Sequence, residues 1–147
     1  MRTLSIDFGT VRIGLALSDA GGKFATPLDV LQTDTPSQSI EKILRIVNAE
    51  AVGRIVVGVP LNMDDTIGPS ARAAIAFGND LSTRAGKPVI FVDERLSSFE
   101  AEQGLITRKR GGEKITRKQK KDRLDALAAA SFLQAFLDGK IEPLKFE

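Results

Sequence analysis

The 147-residue sequence contains no histidine, no cysteine, no tyrosine and no tryptophan. Each absence removes a class of chemistry. Without histidine there is no imidazole acid or base, and without cysteine there is no thiol nucleophile and no disulfide. Together they exclude zinc sites built from those two residues. Phenylalanine, eight residues in all, is the whole aromatic complement, so base stacking falls to Phe or Arg. The sequence also lacks a signal peptide and any apolar run of about 18 residues, which makes the cytoplasm the expected compartment with no membrane partner. What remains for chemistry is Asp, Glu, Lys, Arg, Ser, Thr, the backbone and a hard metal ion.

What is present suits one ordinary domain spanning residues 1–147. Hydrophobic residues make up 42% and charged residues 27%, the balance of a globular chain with its own core. The net charge of +2 conceals a division. Residues 108–123 hold nine Lys and Arg against two acids, a net of +7, while the other 131 residues hold twelve against seventeen, a net of −5. A segregated basic segment suits a polyanionic partner, nucleic acid first. The plainer reading is a solvated helix start with a basic loop.

Arg2 to Phe8 alternates, with Leu4, Ile6 and Phe8 apolar, and predicts a strand. Gly9-Thr10 turns the chain into a second strand from Arg12 to Leu17. A third runs from Phe24 to Leu31, completing an antiparallel meander. The period then changes. Ile40, Ile43, Leu44 and Val47 mark a helix opening at Pro36-Ser37. Ile55 to Val59 is an all-apolar buried strand. After the loop Pro60 to Gly68 comes a helix from Ser70 to Ala85, then a strand from Val89 to Val92. Ser97 and Glu100 have capping-box spacing for a short helix to Ile106. A long Ala- and Leu-rich helix runs from Thr116 to Leu137. The order β-β-β-α-β-α-β-α-α predicts an α/β fold whose last strands are parallel.

Three places on this layout carry carboxylates that chemistry could use. Asp7 closes the first strand, Glu94 follows the fifth, and Asp122 and Asp125 lie three apart on the final helix. Strands one and five running the same way would bring Asp7 and Glu94 to one sheet edge, the usual position of active sites in open α/β sheets. The final helix would add Asp125. Carboxylates gathered without a basic partner need a cation between them, and oxygen-only ligands select Mg²⁺ or Mn²⁺. Two such ions could hold a phosphodiester and activate water with no histidine. Each acid also has a structural alternative: Asp7 bonding the Gly-Thr turn, Glu94 pairing with Arg95, Asp122 pairing with neighbouring cations. Asp125, set mid-helix among Leu and Ala, is the hardest to explain that way.

The segments I-D-F-G-T-V-R-I-G-L-A-L-S-D (Ile6 to Asp19), V-V-G-V-P-L-N-M-D (Val56 to Asp64), V-D-E-R-L-S-S (Val92 to Ser98) and K-x-x-x-x-D-A-L-A-A-A-x-x-L-Q (Lys120 to Gln134) resemble, in order, the blocks of the YqgF/RuvX family. That family is similar to RuvC-type Holliday-junction resolvases of the ribonuclease H-like superfamily. The resemblance implies a five-stranded mixed sheet and metal-dependent phosphodiester hydrolysis, with processing of the 5′ end of pre-16S ribosomal RNA as the leading activity and junction resolution as the alternative. It implies Asp7, Glu94 and Asp125 as catalytic metal ligands, Asp122 as a further catalytic acid, and Mg²⁺ or Mn²⁺, two ions, as cofactor. Arg12 matches an arginine expected to contact phosphate. With Arg95, Arg108, Lys109, Arg110, Arg117, Lys118, Lys120 and Lys121 it forms the expected nucleic-acid surface. RNA or branched DNA, a pre-ribosomal particle and a second copy of the chain are the expected partners.

The family usually has Gly after Asn-Met-Asp, where this chain has Asp65. Two readings from other classes stay open. The D-F-G-T turn also resembles the phosphate loop of the actin and sugar-kinase superfamily, which would make the chain a nucleotide binder. The other reading is a ribosome-assembly factor whose acids bind metal without turnover. Phe77, Phe99, Phe132 and Phe136 are candidates for the core or for a dimer interface.

Overall fold

The structure is a computed structural model that describes residues 1–9, 11–32, 35–94 and 117–145, with residues 117–124 as helix backbone. The expected meander forms β1 (Arg2–Phe8), β2 (Arg12–Ser18) and β3 (Ala25–Gln32). It is followed by α1 (Pro36–Ala49), β4 (Val52–Val59), α2 (Pro69–Ala85), β5 (Val89–Asp93) and α3 (Arg117–Leu137). The third strand begins at Ala25, one residue later than the sequence pattern suggests, and leaves Phe24 exposed. The short helix expected from Ser97 to Ile106, and Phe99 within it, lie outside the described residues.

One five-stranded sheet has the order β3-β2-β1-β4-β5. β1 pairs antiparallel with β2 and parallel with β4, and β4 pairs parallel with β5. The ends of β1, β4 and β5 therefore share one edge with the start of β2. This is the condition that brings Asp7 and the residues after β5 to the same side of the molecule.

The sheet is covered on both faces. On one face Leu4, Ile6, Ile13, Leu15, Ile55 and Val57 pack with Ile40, Ile43 and Val47 of α1 and Phe77 and Leu81 of α2. Both helices begin with proline, where the missing N–H costs no intrahelical bond. Thr35 caps α1, its side chain accepting from the Gln38 N–H at 3.2 Å. On the other face, Ala16, Val56 and Val92 pack against Ala129, Ala130, Phe132 and Leu133 of α3.

The second face explains why β1 alternates. Thr3 and Ser5, polar in sequence, are fully buried beneath α3, and Ser5 Oγ donates to the Ala129 carbonyl at 2.8 Å. Alternation here separates a large-residue core from a close-packed helix contact, with neither face left to solvent. Phe77 and Phe132 are core residues, and Phe136 packs at its margin beneath the Arg54 guanidinium, 4.9 Å from the ring centre.

Candidate active site

The site is set by one row across the sheet. Gly14 of β2, Asp7 of β1, Gly58 of β4 and Val92 of β5 are partners in successive registers, so their side-chain positions face α3 together. Asp7 thus stands between two glycines. A methyl group on Gly58 would lie 2.8 Å from Phe132 Cε2 and 2.9 Å from Glu94 Oε2. One on Gly14 would collide with the backbone carbonyl of Asp125. The glycines are the spaces through which Glu94 from one side, and α3 from the other, reach Asp7.

Two of the acids, Asp7 and Glu94, thereby meet, and Asp125 lies near enough to act on both through its charge. Glu94 follows β5, its N–H directed at the Val59 carbonyl at 3.4 Å, and its side chain returns over Gly58 to hydrogen-bond Asp7. Burial, the hydrogen bond to Asp7 and the charges of Asp7, Asp93 and Asp125 push the Glu94 carboxyl up to about 10. It therefore donates its proton to the Asp7 carboxylate. Asp7 is itself raised by burial, which outweighs the lowering effect of that hydrogen bond, with the charge of Asp125 raising it further.

Asp125 holds a different partner. Its Oδ2 accepts from Arg12 Nε at 2.7 Å, in an ion pair with about a quarter of each side chain exposed. Arg12 opens β2 two residues before Gly14, on the same face and at the same edge. The acids expected to gather without a basic partner have one in the structure, because Arg12 partly neutralises the cluster. Among the described residues no three carboxylates stand close enough, as they are, to enclose an ion.

The donor set nevertheless fits a hard divalent cation. It is made of carboxylate oxygens, it is partly buried, and it retains a proton that such a cation would replace. Asp122 lies in the first turns of α3 with Arg117, Lys118, Lys120 and Lys121, whose side chains are outside the described residues. Arg95, Arg108, Lys109 and Arg110 are outside them altogether.

Gly14 and Gly58 escaped the sequence reading. Their signal was available: glycine inside an apolar strand marks a close approach by another group. The loop after β4 borders the same edge. Asn62 N–H donates to the Thr66 carbonyl at 3.0 Å, and Asp64 Oδ1 accepts from the Thr66 N–H at 3.1 Å and from its hydroxyl. Asp65 takes φ 68, a left-handed conformation that glycine adopts at no steric cost.

A family model described as "RuvX: Holliday junction resolvase" matches residues 1–139. The chain belongs to the RuvX family. Curated relatives of the chain carry the name "Putative pre-16S rRNA nuclease". The protein of Anaeromyxobacter sp. (strain Fw109-5) is 44% identical over 95% of this chain and 98% of its own length. That of Pelotomaculum thermopropionicum is 39% identical over 97% and 90%. Among solved structures, T. thermophilus RuvC in complex with Holliday junction substrate superposes with TM-score 0.63 at 19% identity, covering 98% of this chain and 99% of that one. The fowlpox virus resolvase in complex with Holliday junction DNA gives TM-score 0.53 at 12% identity, covering 93% and 99%. These two likenesses establish for this RuvX chain a RuvC-like, ribonuclease H-type fold.

Proposed function

We propose that this protein is a metal-dependent nuclease that hydrolyses phosphodiester bonds in structured nucleic acid, with the 5′ end of pre-16S ribosomal RNA as its substrate during ribosome biogenesis. The observation that carries this reading is the convergence of Asp7, Glu94 and Asp125 at one sheet edge, arranged by glycines on either side of Asp7. It is joined by the name that full-length relatives carry. Asp7, Glu94 and Asp125 would hold Mg²⁺ or Mn²⁺, which when bound supplies an activated water and charge neutralisation at the phosphate.

The residues around them have separate tasks. Asp7, near the end of a strand paired on both sides, is the rigid member of the set. Glu94 would have to lose its proton to serve as a ligand. Arg12 lies at the mouth, where a guanidinium can meet phosphate oxygens in a two-pronged contact. The basic segment, with Arg95, Arg108, Lys109, Arg110, Arg117, Lys118, Lys120 and Lys121, would track the backbone by charge and shape, since no Tyr or Trp is available to read bases.

Junction resolution is the second reading, favoured by the description of the matching family model. It needs two sites and therefore a symmetric pair of chains. The deciding experiment offers one preparation a ribosomal RNA precursor and a four-way DNA junction, each with Mg²⁺, Mn²⁺ or chelator, with light scattering for oligomeric state. Metal-dependent cleavage of the RNA at its 5′ side is the expected result. Cleavage of the junction alone, by a dimer, would favour the second reading, and cleavage of neither would leave a binding role.

A further inference from the structure

Arg12 is placed where it bears on two partners, and the structure shows it engaged with one of them. Its Nε donates to Asp125 Oδ2 at 2.7 Å. The pair spans β2 and α3, and both residues are held by backbone: Arg12 by strand pairing with Gln32, Asp125 by the close contact of its carbonyl with Gly14. Neither can drift away from the other. Yet about a quarter of each side chain faces solvent, so the guanidinium can swing outward without opening the core. Asp125 is also the acid that must turn toward Asp7 and Glu94 for the three to act together.

We propose that Arg12 is a removable counter-ion for Asp125. It holds this carboxylate while no divalent cation is present, and its release delivers a guanidinium to the phosphate backbone of the substrate. This rests on the nuclease reading above and adds a coupling to it. A cation and a phosphate both draw Arg12 and Asp125 apart, so each ligand lowers the cost of binding the other. Such coupling is reciprocal by thermodynamic necessity. Arg12 is a positioning residue here, acting on the metal set through Asp125.

The test is the affinity for Mn²⁺, read from the electron paramagnetic resonance signal of the free ion, for wild type, Arg12→Gln and Arg12→Lys. Thermal melts confirm that each is folded. With no nucleic acid present, Arg12→Gln should bind Mn²⁺ about three- to fivefold more tightly than wild type, the scale of a partly exposed ion pair. Arg12→Lys, which keeps the charge, should stay near wild type.

An RNA oligonucleotide with phosphorothioate linkages should strengthen Mn²⁺ binding by wild type, and do so less for Arg12→Gln. Unchanged or weaker Mn²⁺ binding by Arg12→Gln, or equal tightening by Arg12→Lys, overturns the counter-ion role. An equal gain from RNA in wild type and Arg12→Gln overturns the delivery to phosphate. Absence of Mn²⁺ binding in wild type, or binding that Asp125→Asn leaves intact, refutes the underlying metal reading.

Discussion

Asp7 and Glu94 share a hydrogen bond that two ionised carboxylates could not make, so one proton belongs to the folded state. In an unfolded chain Glu94 loses that proton near its ordinary value of 4.5; in the folded, metal-free protein it keeps it up to about 10. Between those values the native state binds more protons than the unfolded state, and stability falls as pH rises. A divalent cation removes the penalty by replacing the proton. The melting temperature gained on adding Mn²⁺ should therefore grow between about pH 5.5 and pH 8.5. Glu94→Gln should flatten the pH dependence of the metal-free protein, and a flat profile in wild type would argue against the shared proton. For activity, Asp7→Asn, Glu94→Gln and Asp125→Asn should each lower cleavage by about 100-fold or more with the fold retained. Undiminished turnover in any one removes that residue from the site. Gly58→Ala should act differently, since its methyl would meet Phe132 and Glu94 at 2.8 and 2.9 Å. It should cost about 1–3 kcal/mol of stability by denaturant titration, with reduced activity.

The elements that frame the site differ in how far sequence patterns reveal them. β1, α1 and α2 are marked by alternation, by apolar spacing of three and four, and by proline at the helix starts, all of which are local. Asp7 and Glu94 were likewise recognisable as candidates, because each lies at a strand end. The role of α3 was less visible. Where it crosses β1 and β2 its contact face is largely alanine, and its partners there are Gly14, Ala16 and Ser5, small residues with weak hydrophobic signal. The ion pair of Arg12 with Asp125 joins positions 113 residues apart, which no local pattern encodes. Gly14→Ala tests this element, because a methyl there meets the Asp125 backbone. It should destabilise by about 3 kcal/mol and weaken Mn²⁺ binding by displacing α3. The loop after β4 offers a test of opposite sign. Asp65 takes a left-handed conformation that glycine adopts at no steric cost. Asp65→Gly should therefore be neutral or stabilising by up to about 1 kcal/mol, and Asp65→Val should destabilise by about 1–2 kcal/mol, both read by thermal unfolding.

Across the whole molecule, charge is divided as the proposed chemistry requires. Residues 108–123 carry +7 and the rest −5, while Asp7, Glu94 and Asp125 converge where α3 crosses the sheet edge. Since α3 begins at Arg117, its first turns carry Lys118, Lys120 and Lys121 along the same helix that presents Asp125. A substrate backbone drawn to those turns lies within one or two helical turns of the acids. Acids alone would repel the phosphate, and the basic segment alone would bind it without cleaving. Each phosphate neutralised by a protein cation releases condensed counter-ions, so the slope of log affinity against log salt counts the contacts. Replacing Lys118, Lys120 and Lys121 by Gln together should reduce that slope by about 2 to 3, depending on single- or double-stranded substrate. Affinity at low salt should fall with it, while Mn²⁺ binding in the absence of nucleic acid should change little. A slope that stays at its wild-type value would separate the helix start from the substrate path and assign the charge-driven contacts to Arg12 and the rest of the basic segment.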